Sequence, residues 1–210
     1  EYYPVEGQEL PNEKTKLIAG LYGDDCDFFT AKGMVEQLLD TLFISNYEFE
    51  ASSDEYAYHP GRCAHIMIDD TVIGVIGEIH PKVSENYGIN ERILCFTLDV
   101  DSLFAHTQTN ATYTPLPKFP AVTRDLALIC DETIPVRMLE KAITKGAGNL
   151  LETIQLFDVY QGEQIESGKK SVAFNIVLRS AENTLAEEQV NSTMKKVMKE
   201  LEKVGANLRV

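Results

Sequence analysis

Pro115, Pro117 and Pro120 stand close together just past the middle of a 210-residue chain. A proline ring fixes its own φ and pushes the residue before it to extended geometry, so no helix and no central strand can run through this stretch. A polar, threonine-rich run from His106 to Thr114, without apolar periodicity, comes just before it. Together they mark a domain boundary near residue 115, with one domain in 1–114 and another in 115–210. Either part is long enough to bury a core of its own.

Beyond the linker the run after Arg124 alternates like a half-buried strand. The pattern to Val210 then reads strand, helix, strand, strand, helix, strand, the order of a ferredoxin-like βαββαβ fold. Pro135 suits the first turn of a helix whose buried stripe is Val136, Leu139 and Ile143, with Gly146 as its stop. Thr184 and Glu187 are spaced as a capping box for the last helix. Its stripe, Val190, Met194, Val197, Leu201 and Val204, recurs at steps of 4, 3, 4 and 3. Glu187 and Glu188 at its start and Lys199 and Lys203 near its end complement the helix dipole, and Gly205 ends it.

Two such helices cover one face of a four-stranded sheet and leave the other open. On the third strand Val172, Phe174, Ile176 and Leu178 then point at the helices, while Ser171, Ala173, Asn175 and Arg179 face outward. The same alternation turns Asp125, Ala127, Asn207 and Arg209 outward. The second strand, near Ile154 to Tyr160, is apolar on both parities. Its outward pair is either Phe157 with Val159 or Asp158 with Tyr160.

The first part reads as α+β. Strands are expected at Lys16–Tyr22, Tyr47–Ala51, Ala64–Ile68, Val72–Ile79 and Ile93–Val100, with a helix from about Phe28 to Phe43. Strands following one another this closely, with Asp69-Asp70 as a hairpin break, favour an antiparallel sheet. His59, His65 and His80 with Glu78 are the candidates for a metal cluster, but no helical or hairpin spacing gathers them, and no metal site is expected.

The net charge of −14 argues against a nucleic-acid binder if taken whole. It is unevenly spread. Residues 1–118 carry 7 Lys+Arg against 20 Asp+Glu, a net of −13, and residues 119–210 carry 12 against 13, a net of −1. Screening over about 8 Å lets separate patches act independently, so a local basic surface on the second part is permitted. Cys26, Cys63, Cys95 and Cys130 include no close pair, which reads as free thiols in a reducing cytosol. No stretch approaches the roughly 20 apolar residues of a membrane span. Glu1 to Glu13 holds four glutamates and no basic n-region, unlike a signal peptide.

The linker Leu116-Pro117-Lys118-Phe119-Pro120-Ala121-Val122-Thr123-Arg124-Asp125, the hairpin Phe157-Asp158-Val159-Tyr160-Gln161-Gly162 and the start Lys169-Lys170-Ser171-Val172-Ala173-Phe174 resemble the C-terminal end of the β subunit of bacterial phenylalanyl-tRNA synthetase. Tyr58-His59-Pro60-Gly61-Arg62-Cys63-Ala64 and Gly74-Val75-Ile76-Gly77-Glu78-Ile79-His80-Pro81 resemble the module before it in that family. The resemblance implies a class II synthetase-like antiparallel sheet module without catalysis in 1–114 and a ferredoxin-fold anticodon-binding domain in 115–210. It matches the family's anticodon contacts to Asp158, Tyr160, Ser171 and Ala173, and so turns Asp158 and Tyr160 outward. Lys169, Lys170, Arg179 and Arg209 are the candidates for phosphate contacts. A tyrosine ring offers a face to an unstacked base, and a carboxylate or hydroxyl can read its edge.

The implied partners are phenylalanine tRNA and the synthetase α subunit in an α2β2 assembly, with no membrane and no DNA, in the cytoplasm. ATP and magnesium belong to the parent ligase, with no cofactor in this chain. No catalytic residue is expected here: the ATP-holding motifs of class II enzymes are missing, and Arg62 and Arg92 do not stand in their context. The alternative is a ferredoxin-like small-molecule regulatory module without RNA binding, since fold alone does not assign function.

Overall fold

The computed structural model describes residues 1–7, 9–108, 113 and 115–209. The chain forms two compact units, Glu1–Tyr113 and Thr114–Val210. Of the polar run expected at 106–114, residues 109–112 and 114 lie outside the described residues.

In the first unit a short hairpin, β1 (Tyr2–Tyr3) and β2 (Asn12–Glu13), precedes β3 (Lys16–Tyr22), α1 (Phe28–Thr41), β4 (Tyr47–Ala51), β5 (Tyr58–Ile68), β6 (Thr71–Ile79), α2 (Pro81–Asn86), β7 (Ile93–Asp99) and α3 (Val100–His106). The five longer strands form one antiparallel sheet in the order β3-β7-β6-β5-β4. Ala31, Val35 and Leu39 of α1 pack with Ile66, Ile68, Ile76, Phe96 and Leu98 into a continuous apolar core. Asp69 and Asp70 turn the β5–β6 hairpin with φ of 46° and 63°, the left-handed pair that a two-residue turn between twisted strands requires.

Helix α3 has no counterpart in the apolar pattern. Its signal is polar: Asp99 closes β7 and caps α3, accepting from the Ser102 amide at 2.8 Å and from Lys16 Nζ at 3.0 Å. The Ser102 amide first, and the Lys16 ammonium after it, hold the Asp99 carboxyl down at about 2 against the opposing effect of burial. A carboxyl so lowered stabilises the fold fully above its unfolded pKa and loses that contribution as pH falls through the folded one. Asp99→Asn is therefore expected to lower the chemical-denaturation midpoint at pH 7, and the gap from the parent should close between about pH 4 and pH 2.

The second unit runs β8 (Val122–Asp131), α4 (Val136–Ala147), a 3-10 turn at Gly148–Leu150, β9 (Leu151–Tyr160), β10 (Lys169–Leu178), α5 (Glu187–Lys203) and β11 (Asn207–Leu208). The antiparallel strand order β11-β8-β10-β9 is that of a ferredoxin fold. Phe174, Val172, Ile176 and Leu178 are fully buried with Leu139, Ile143, Val190, Val197 and Leu201 of the two helices, so both helices lie on one sheet face.

Two helix ends differ from the sequence expectation. Thr184 is not the cap of α5. The helix begins two residues later behind Ala186, whose amide donates to Gln189 Oε1 at 3.0 Å, so one arm of a capping box survives without a capping hydroxyl. Its other end is a Schellman closure, with Ala206 N–H to the Leu201 carbonyl and Gly205 N–H to that of Glu202. Gly146 does not stop α4. The helix runs on to Ala147, and Gly148 at φ 57° ends it. Gly146 is instead buried where α4 crosses α5: a Cβ there would fall 2.5 Å from Val197 Cα, a backbone atom that cannot move aside. Gly146→Ala should destabilise the chain by about 1–3 kcal/mol through overpacking, despite alanine's better helix propensity, as read by urea unfolding.

Candidate functional site

Antiparallel partners share a sheet face, so register alone assembles the surface opposite the helices. Three successive rows cross it. The first is Ile129, Ser171 and Tyr160, the second Ala127, Ala173 and Asp158, and the third Asp125, Asn175 and Gln155. Asn207 of β11 joins the first row through Ile129. Asp158, Tyr160, Ser171 and Ala173 therefore meet in two adjacent rows at one end of the open face.

Strand β9 reaches this arrangement by changing phase. Its register with β10 slips between Asp158 and Leu156, leaving Phe157 as an extra, unpaired residue, and slips again at Glu152. On the helix side stand Ile154 and Leu156 opposite Ile176 and Phe174, then Val159 opposite Val172. That is a switch from even to odd positions. A bulge of this kind re-aims side chains without breaking the sheet.

The floor of the site is small and close-packed. Ser171 and Ala173, on a central strand, are 5% and 9% exposed. Tyr160 is half-buried, and its ring lies over Gly162: a Cβ on that residue would sit 2.5 Å from the Tyr160 hydroxyl. Arg209 reaches over from the far edge to place Nη1 3.5 Å from Ser171 Oγ, while its amide bonds the Ala127 carbonyl. One row along, Asn175 Nδ2 donates to Asp125 Oδ1 at 2.7 Å.

The other cations divide. Lys169 is exposed at the start of β10 and pairs with Glu166 at 2.6 Å, a contact that raises its pKa. Lys170 has the opposite parity. It pairs with Cys130, is 8% exposed, and donates to the Glu132 carbonyl at 3.1 Å, so it braces the turn after β8 rather than facing outward. Arg179 lies eight residues beyond Ser171, about 26 Å along the strand. It is held by Glu152 at 2.8 Å and by the Phe119 carbonyl, tying the linker to the far end of the sheet. Structure thus gathers Asp158, Tyr160, Ser171, Ala173 and Arg209, with Lys169 at the rim, and sends Lys170 and Arg179 elsewhere.

In the first unit the histidines go to separate tasks. His59 Nδ1 accepts from the Gly61 amide, His65 pairs with Glu55 at 3.0 Å, and His80 caps α2 through the Lys82 amide. Glu78 is 7% exposed and takes both oxygens to Arg62, at 2.9 and 2.8 Å. Arg92 donates to the Cys26 carbonyl. Among the described residues no group of three or more His, Cys, Asp and Glu could hold a metal ion. All four cysteines are free thiols. No described helix is long and apolar enough to cross a membrane.

Residues 117–209 match the family model of the ferredoxin-fold anticodon-binding domain, which places the second unit in that class. Residues 2–100 match the phenylalanyl tRNA synthetase beta chain CLM domain. The chain belongs to the phenylalanyl-tRNA synthetase β-chain family and corresponds to its C-terminal region. It is 40% identical over 210 residues to the phenylalanine–tRNA ligase beta subunit of Clostridium acetobutylicum, covering 99% of this chain and 26% of that protein. The beta subunit of Carboxydothermus hydrogenoformans is also 40% identical, over 99% of this chain and 27% of its own length. That of Bacillus subtilis is 44% identical over 84% of this chain and 22% of its own. The chain thus spans about a quarter of the length of these relatives.

The Phe157 bulge and the seating of Tyr160 on Gly162 escaped the sequence reading. Gln161-Gly162 signals a turn, and nothing in a turn motif says that its glycine is a seat for a ring two residues back. Because the clash at Gly162 is with the far end of a side chain, Gly162→Ala should leave the unfolding free energy within about 0.5 kcal/mol. It should still shift the Tyr160 ring resonances in NMR spectra; an unmoved ring would contradict this seating.

Proposed function

We propose that this chain is the anticodon-binding and scaffolding end of a phenylalanine–tRNA ligase β subunit. The observation that carries the reading is the register Tyr160 opposite Ser171 and Asp158 opposite Ala173. It puts an aromatic ring, a carboxylate and a hydroxyl around a floor of small side chains on the sheet face away from the helices. One unstacked base can lie over Ala173 against the Tyr160 ring, with Asp158 and Ser171 Oγ at its edge. Arg209 and Lys169 flank the place where its phosphates would run.

The first unit is read as the inactive class II synthetase-like module that packs against the catalytic α subunit, in a cytoplasmic α2β2 enzyme. In that enzyme ATP and magnesium serve the catalytic subunit, and this chain's residues hold tRNA and partner. The chain by itself is expected to show no ATP–pyrophosphate exchange. The family match in the second unit favours this reading over a ligand-regulated ferredoxin-like module.

Tyr160→Ala should cost about 1–3 kcal/mol of tRNA affinity, the range for one base–aromatic stack. In the complete ligase the loss should appear with tRNA as the varied substrate and not in phenylalanine activation. A Tyr160→Ala chain that binds tRNA normally but unfolds easily would make Tyr160 a packing residue. Affinity should also fall with salt, with a log–log slope of about −0.7 for each phosphate contact on single-stranded loop; Arg209→Ala should flatten that slope by about one contact.

A further inference from the structure

The third row of the open face, Asp125, Asn175 and Gln155, is not used by the stacking site. It lies one row beyond Ala127, Ala173 and Asp158, about 7 Å along the strands. The alanines put no bulk between the rows, so a nucleotide next to the one at Tyr160 can arrive over it. The bond from Asn175 Nδ2 to Asp125 Oδ1, at 2.7 Å, settles which way the amide points. Its nitrogen is turned toward Asp125, which leaves Asn175 Oδ1 and the second Asp125 oxygen as acceptors. Asp125 and Gln155 are exposed and Asn175 is half-buried, so the row can be reached by a ligand.

We propose that Asp125 and Asn175 form a second base-reading subsite, one that accepts from the exocyclic amino group of a neighbouring unstacked base and rejects uracil. This rests on the reading of the face as an anticodon-loop site. Adenine, cytosine and guanine each carry an amino donor on the edge they present for pairing. Uracil has no amino group: its one donor on that edge, N3–H, lies between two carbonyls, and O4 stands where cytosine carries its amine, which would set oxygen against oxygen. A pair of acceptors that takes up an amino group disfavours a base that presents a carbonyl there, because acceptor then faces acceptor. Asn175 acts by orientation as well as contact: without its donated N–H the Asp125 carboxylate has no fixed direction.

The test measures binding of anticodon stem-loop RNAs to the chain by fluorescence anisotropy, with each amino-bearing loop base replaced in turn by uracil. The parent should lose about tenfold at a loop position adjacent to the stacked base. Asp125→Asn, which keeps the shape but can present a donor, should bring the two RNAs within about twofold of each other. Asn175→Ala, the second variant should the first disturb the sheet, should do the same; circular dichroism checks that each is folded. Tyr160→Ala should weaken both RNAs equally and keep their ratio. If the parent shows no uracil penalty at any position, or if both variants keep the full penalty, the pair is sheet packing only and the proposal is overturned, while a loss with Tyr160→Ala leaves the anticodon-loop reading standing. If Tyr160→Ala binds every RNA as the parent does, that reading fails and the proposal falls with it.

Discussion

Strand β10 is paired along its length on both sides, to β8 and to β9, and everything in the second unit is arranged by that double register. A buried strand with both neighbours in place cannot slip by one residue without exchanging its whole apolar set for its polar one. Val172, Phe174, Ile176 and Leu178 are all fully buried beneath the helices, so the slip would expose four large side chains at once. At about 1.5–3 kcal/mol for each fully buried aliphatic or aromatic side chain, the alternative register is excluded. The same locking decides what a ligand can meet, because the residues between those four form the open face.

That coupling explains why the site is built from small and neutral groups at its centre and keeps its charges at the edges. Ser171 and Ala173 lie on the central strand, and the side chains that can extend over them come from the neighbours, Tyr160 and Asp158 from β9 and Arg209 from beyond β11. Lys170, by contrast, is one residue out of phase and is absorbed into the turn after β8. Two adjacent lysines of identical chemistry thus take up different work according to the parity of their positions.

Where apolar periodicity was strong, sequence and structure agree closely. The stripe from Val190 to Val204 lies in the core, and the outward residues of β8 and β10 follow from alternation. The disagreements have physical causes. Helix α3 is announced by an aspartate cap and not by a stripe, and so was missed. Gly146 looks like a helix stop because glycine usually is one, and its true role depends on a second helix far along the chain. The outward pair of β9 could not be chosen from the pattern, since its apolar residues really do occupy both parities, Ile154 and Leu156 on one side of the bulge and Val159 on the other. The resemblance supplied the orientation, and the bulge supplies the reason that alternation could not.

The unpaired Phe157 works as a phase shifter, one surplus unit of chain that moves the strand's reading frame by half a period. The face therefore answers differently to two kinds of sequence change. Point changes on it alter one contact at a time, whereas losing Phe157 itself would leave Leu156, Asp158, Val159 and Tyr160 opposite Phe174, Ala173, Val172 and Ser171 in plain alternation, with the same side chains in front. A lineage could retune its preference residue by residue, and the bulge is a place where the strand could shorten by one codon without turning that face over.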